Sequence, residues 1–232
     1  MVLMNNLMLG LKDLEWEIIL VALKDTLLMT IVSTSIAYLI GLPLGIILYN
    51  SSKKGLRPNP VLNAIIGTFA NIFRSIPCLM IIVLLIPIQN FIFGNGSWTG
   101  SWFSMLLPLV VSSFAFIARI VEQSLCEVDS GIIEASKSLG ANDFQIITKV
   151  LLSEAKPSLI SGFAVTIVSI LGYTSFAGYI SSGGLIFEAF NFGYYGDDTL
   201  GMWMCILFII IIVQIIQEGG LMISKKIDKR RK

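Results

Sequence analysis

Five apolar runs, at about 27–49, 65–88, 102–120, 159–180 and 200–223, set the terms on which this chain can fold. Each holds about 19–24 residues, and about 20 suffice to cross a hydrocarbon core of roughly 30 Å. No water reaches that depth, so each backbone N–H and C=O must be satisfied within its own segment, as a helix allows. The expected fold class is all-α, a polytopic membrane protein with about five transmembrane helices. Asp, Glu, Lys and Arg make up 13% of the chain, where a soluble domain carries about a quarter.

Basic residues orient the spans. Of the 16 Lys and Arg, three lie in the 51–60 connector, four in 119–157 (Arg119, Lys137, Lys149, Lys156) and six in 225–232. The opposite side receives only Lys12 and Lys24, and Arg74 falls inside a span. An excess of Lys and Arg marks the cytoplasmic side, so the N-terminus is placed outside and the C-terminus in the cytoplasm. The division is an N-terminal interfacial segment at 1–25, a transmembrane domain at 26–224 with a cytoplasmic loop at 121–157, and a basic tail at 225–232. Leu11, Leu14, Ile18 and Val21 recur at helical spacing, as in a helix lying in the interface. The first residues lack the basic start and small-residue cleavage site of a signal peptide.

Chemistry is sparse. The chain has no His, and Cys78, Cys126 and Cys205 lie far apart, so they read as small buried hydrophobes and no metal site is expected. No GxxxxGK[ST] phosphate loop occurs, and Gly183–Gly184 is too short to serve as one. No cofactor and no catalytic residue are expected, and a net charge of +1 gives no reason to expect nucleic acid as a partner. If ATP drives this protein, another polypeptide hydrolyses it.

The longest polar interval after the first 25 residues is 134–157. Ile132, Ile133, Ala135 and Leu139 are spaced to share a helix face. Gly140 then supplies a left-handed stop. Asn142 restarts the chain as an N-cap, with Gln145 three positions on as in a capping box, and a second helix is expected over 143–155. Two short helices meeting at a glycine between spans form a bracket across the cytoplasmic surface. It is either a docking element or a solvated amphipathic pair.

The residues Glu134, Ala135 and Ser136, then Gly140, then Val150, Leu151 and Leu152, resemble the EAA loop of ABC importer permeases. In that family the loop docks on the ATP-hydrolysing subunit. By this resemblance Glu134, Ala135, Ser136, Leu139, Gly140, Ala141 and Phe144 are the ATPase-coupling candidates. Ser136 departs from the usual second Ala, and Ser153 from the usual Pro. The run 172–185, together with Gly41, Gly45, the 116–122 segment and Gly193–Tyr194, is similar to the methionine permease subfamily. The likeness extends over about 25–225, apart from a longer outer loop at 90–101. It implies the type I importer permease fold, a homodimer in a bacterial inner membrane and its lipid, an ABC ATPase dimer inside, and a substrate-binding protein outside. The implied cargo is an amino acid, methionine first. Import of another amino acid or small peptide, or an autonomous secondary transporter, are the alternatives. The latter lacks an inverted repeat and a membrane-embedded carboxylate.

Within the spans, Arg74 stands near Pro77, which frees a carbonyl and favours a kink. Arg74 either lines the path or snorkels to the cytoplasmic face. Residues 73–77 resemble an Arg-x-x-Pro element of amino-acid permeases. Arg74, Ser75, Pro77, Tyr173 and Ser175 are accordingly the translocation-path candidates. Gly162, Thr166, Ser169, Tyr173 and Ala177 give the fourth span a small, polar side that either borders water or packs closely. Ser33, Ala37, Gly41 and Gly45 form a small-residue stripe fit for close helix packing, within the chain or against a second copy.

Overall fold

The computed structural model describes residues 15–94, 96 and 99–228. Helix α1 (Trp16–Ser51) is followed by α2 (Pro60–Ser75) and α3 (Cys78–Phe93). A 3-10 turn, Trp102–Met105, leads into α4 (Leu106–Cys126). The cytoplasmic bracket comprises α5 (Ser130–Ser138) and α6 (143–154), whose middle widens into a π-helical stretch, Ile146–Leu151. Helix α7 (Lys156–Tyr173) ends in a 3-10 run, Thr174–Ile180, and a short α8 (Leu185–Phe190) precedes α9 (Thr199–Ile227). Four of these stretches are long and apolar enough to cross a membrane, and the bent pair α2–α3 makes a fifth.

Helix α4 is the axis of the bundle, and α1 shares its most extensive helix contact. The small-residue stripe makes that contact possible: Ser33 and Ala37 are fully buried. A Cβ on Gly41 would lie 2.7 Å from Ile117 Cβ, and one on Gly45 would lie 2.5 Å from the Ala118 carbonyl oxygen. The stripe therefore faces α4 of the same chain. Buried hydroxyls follow the same helix: Thr26, Thr30 and Thr34 donate to the carbonyls of Ala22, Thr26 and Thr30 at 2.9, 2.7 and 2.6 Å. This satisfies each donor without a partner on another helix. Thr26 Oγ1 also accepts from the Leu185 amide at 2.8 Å, tying the Gly183–Gly184 turn to α1.

Several boundaries differ from the sequence expectation. Helix α1 has no break at 25/26, because Lys24 and Asp25 keep their amide donors and nothing there interrupts a helix. Its 36 residues span about 54 Å at 1.5 Å per residue, well beyond a roughly 30 Å core. The face it buries near its start holds Ile19 and Ala22, while Ile18 and Val21 point outward; Leu11 and Leu14 lie outside the described residues. The second span is a break of 99°, not a kink. Pro77 has no amide to continue α2, and Ile76 before it is extended (φ −84°, ψ 120°), as a residue preceding proline prefers. Helix α4 continues to Cys126, so Arg119, counted above with the 119–157 loop, lies inside the span helix, and Glu122 joins it there as a carboxylate the sequence reading placed outside the spans. The 181–198 segment between the fourth and fifth apolar runs is not plain loop: it is helical over Leu185–Phe190 and π-helical over Asn191–Tyr195. Helix α9 takes in Lys225 and Lys226, and 229–232 lie outside the described residues.

Candidate coupling surface and membrane cavities

The bracket is built on local signals. Asp129 caps α5, its side chain accepting from the Gly131 amide at 2.6 Å. At the other end the Gly140 amide donates to the Lys137 carbonyl (2.9 Å) and the Ala141 amide to the Ser136 carbonyl (3.1 Å). This paired closure needs a left-handed residue, and Gly140 sits at φ +82°. Asn142 and Gln145 complete a reciprocal capping box, with bonds of 2.9 and 3.0 Å. Underneath, Ile133, Ile146, Leu151 and Ala155 join Val121, Leu125 and Val128 in one core, which seats the bracket on the cytoplasmic end of α4. An exposed Arg57–Asp143 ion pair ties the 51–60 connector to α6.

The α5 face anticipated as buried is divided. Only Ile133 is inside, while Ile132 is 38% and Leu139 89% exposed. Across the glycine Phe144 is 74% exposed. Two large apolar side chains thus stand in water on either side of Gly140, and Glu134 and Ala135 are exposed on α5. Ser136 and Ala141 are half-buried, with Ser136 Oγ donating to the Ile132 carbonyl at 2.8 Å.

The five path candidates fall in separate places. Arg74 and Ser75 close α2 and Pro77 opens α3, all three exposed at the break. Tyr173 packs into the cluster of Met29, Cys78, Ile82 and Ile170, beside that break. Ser175 instead lines a cavity of about 410 Å³ walled by Phe176, Tyr179, Phe187, Phe190 and Tyr195. The small side of α7 is mostly a packing face: a Cβ on Gly162 would lie 2.4 Å from Ile120 Cγ2, and Thr166 and Ala177 are fully buried.

Sequence reading missed Arg119, Glu122 and Asn71. Arg119 donates to Glu122 at 2.7 Å, and to the Gly67 carbonyl and Asn71 Oδ1 at 2.9 Å each. The pair is mostly shielded from solvent, with side-chain exposures of 26% and 17%, and it clamps α2 against α4. The available signal was the i, i+3 spacing of opposite charges. A cavity of about 400 Å³ opens beside this clamp, lined by Arg74, Phe116, Arg119, Ile120 and Glu122 among others.

Residues 41–226 match the model of the binding-protein-dependent transport system inner membrane component family. The chain belongs to that family. This inner-membrane component is 36% identical to a probable D-methionine transport system permease of Vibrio cholerae over 217 residues, 94% of this chain and 95% of the relative. It is 44% identical to the methionine import system permease of Bacillus subtilis over 184 residues, 79% and 82% of the two chains. Among solved structures, a chain of the methionine ABC transporter in inward-facing conformations superposes with a TM-score of 0.86 at 34% identity, covering 92% of this chain and 98% of that one. A chain of an amino acid ABC transporter shares the fold at TM-score 0.73 and 16% identity.

Proposed function

We propose that this permease is the membrane-spanning subunit of an ATP-driven importer of methionine. The observation that carries the reading is the near full-length likeness, in sequence and in fold, to permeases of methionine import systems. It takes ligand from a separate binding protein outside, works as a homodimer in a bacterial inner membrane, and is driven by an ABC ATPase on the cytoplasmic side. Leu139 and Phe144 are the apolar anchors for that ATPase. Glu134, Ala135, Ser136 and Ala141 complete the contact, and Gly140 sets the angle between the two short helices. Arg74, Ser75, Pro77, Tyr173 and Ser175 border the path the cargo takes.

Reconstitution tests the reading. Proteoliposomes holding the permease, its ATPase and its binding protein take up radiolabelled methionine when ATP is supplied on the ATPase side. Uptake that persists without the ATPase, or none from the complete set, would sink it.

A further inference from the structure

Arg119 and Arg74 share one cavity but not one situation. Arg119 spends its terminal nitrogens on Glu122, the Gly67 carbonyl and Asn71. Arg74, which lines the same cavity, has no carboxylate, carbonyl or amide partner among the described residues. Two guanidinium groups thus face a space to which Glu122 brings a single carboxylate. An unbalanced charge within a span is expensive and favours an anion beside it. Phe116 and Ile120 add apolar wall, and a volume of about 400 Å³ lies in the range of small-ligand sites, about 300–1,000 Å³.

We propose that this cavity is a binding site for a zwitterionic amino acid. Arg74 takes the carboxylate, the carboxylate of Glu122 receives the ammonium group, and Phe116 and Ile120 lie along the side chain. Its place on α2 and α4, next to the 99° break, puts the site where the broken span and the central helix meet. A guanidinium holds a carboxylate through two parallel hydrogen bonds, which a Lys ammonium cannot reproduce. The site deepens the importer reading and rests on it for the identity of the cargo.

The test uses the permease assembled with its ATPase in nanodiscs, without binding protein. Binding of radiolabelled methionine is compared with that of methioninamide, which keeps the ammonium and the thioether but has no carboxylate. The wild-type complex binds methionine at least tenfold more tightly than methioninamide. Arg74→Gln weakens methionine binding at least tenfold and leaves methioninamide unchanged, and Arg74→Lys falls between. Equal binding of the two ligands by the wild type overturns the site without recourse to any variant. So does unchanged methionine binding by Arg74→Gln, or no methionine binding at millimolar concentration. ATP-dependent uptake by the complete wild-type system judges the importer reading separately, so either can fail alone.

Discussion

Truncating Leu139 and Phe144 isolates the docking contribution of the bracket from its folding. Both are largely in water in the free permease, at 89% and 74% exposure, so shortening either changes little of what holds the chain together. Leu139→Ala removes three carbons, worth about 2.4 kcal/mol if fully buried at ~0.8 kcal/mol per CH₂. Because Leu139 is 89% exposed, about 2 kcal/mol of that is still available to a partner. At 1.4 kcal/mol per tenfold, the ATPase should bind Leu139→Ala about 30-fold more weakly. Phe144→Ala works from a larger side chain and a smaller exposed share, about three quarters of up to ~3 kcal/mol, and predicts a loss of similar size.

The assay titrates labelled ATPase against permease in nanodiscs, alongside thermal unfolding of the permease alone. Unfolding should be unchanged while the dissociation constant rises. A pair of truncations that each shift the constant by less than threefold would refute this, because the ATPase would then be seated elsewhere. Equal losses of stability and binding would refute it too, by showing the side chains support the bracket itself.

Two further substitutions and a pair of labels probe other parts of the structure. At Gly140 a Cβ would meet nothing within 4 Å, so Gly140→Val costs only its left-handed backbone, roughly 1–2 kcal/mol; the permease should insert normally, and pull-down and uptake assays should show weakened ATPase assembly or uncoupled hydrolysis. Gly45→Val is the opposite case, since its Cβ would press to 2.5 Å from the Ala118 carbonyl; the α1–α4 contact should open, with a lower yield of folded protein and a lower melting temperature by thermal shift. On a background without native Cys, a probe at Ser52 should react only with inside reagents and one at Thr99 only with outside reagents, and the reverse pattern would invert the topology.

What the sequence disclosed followed from where each constraint acts. Lipid forces every backbone group to be satisfied within its own segment and favours apolar side chains, so the spans were visible as long apolar runs even where Arg74 and Pro77 interrupt the second. The bracket was visible because its stop and restart are single-residue devices, Gly140 and Asn142 with Gln145, that need no distant partner. Proline was a poorer guide. Pro43 and Pro87 lie inside continuous helices, whereas Pro77 stands at a 99° break, and residue type alone does not separate these cases. The difference lies in tertiary support. Beyond the break, Cys78 is buried against α4, its thiol 3.7 Å from Ser112 Oγ, and before it α2 is held by Arg119, so the two halves are fixed in different directions. Arg119 itself was hidden by its place at the edge of the 102–120 run, where the rule that oriented the chain counted it with the cytoplasmic loop. Paired with Glu122 one turn on, it is largely neutralised and can remain inside the helix. Its work is done on Gly67 and Asn71, which come from another helix, and only folding brings Arg74 to the same cavity. Local signals therefore located the exposed bracket proposed to meet the ATPase, while the charged cavity beside the Arg119–Glu122 pair emerged only from packing α2 against α4.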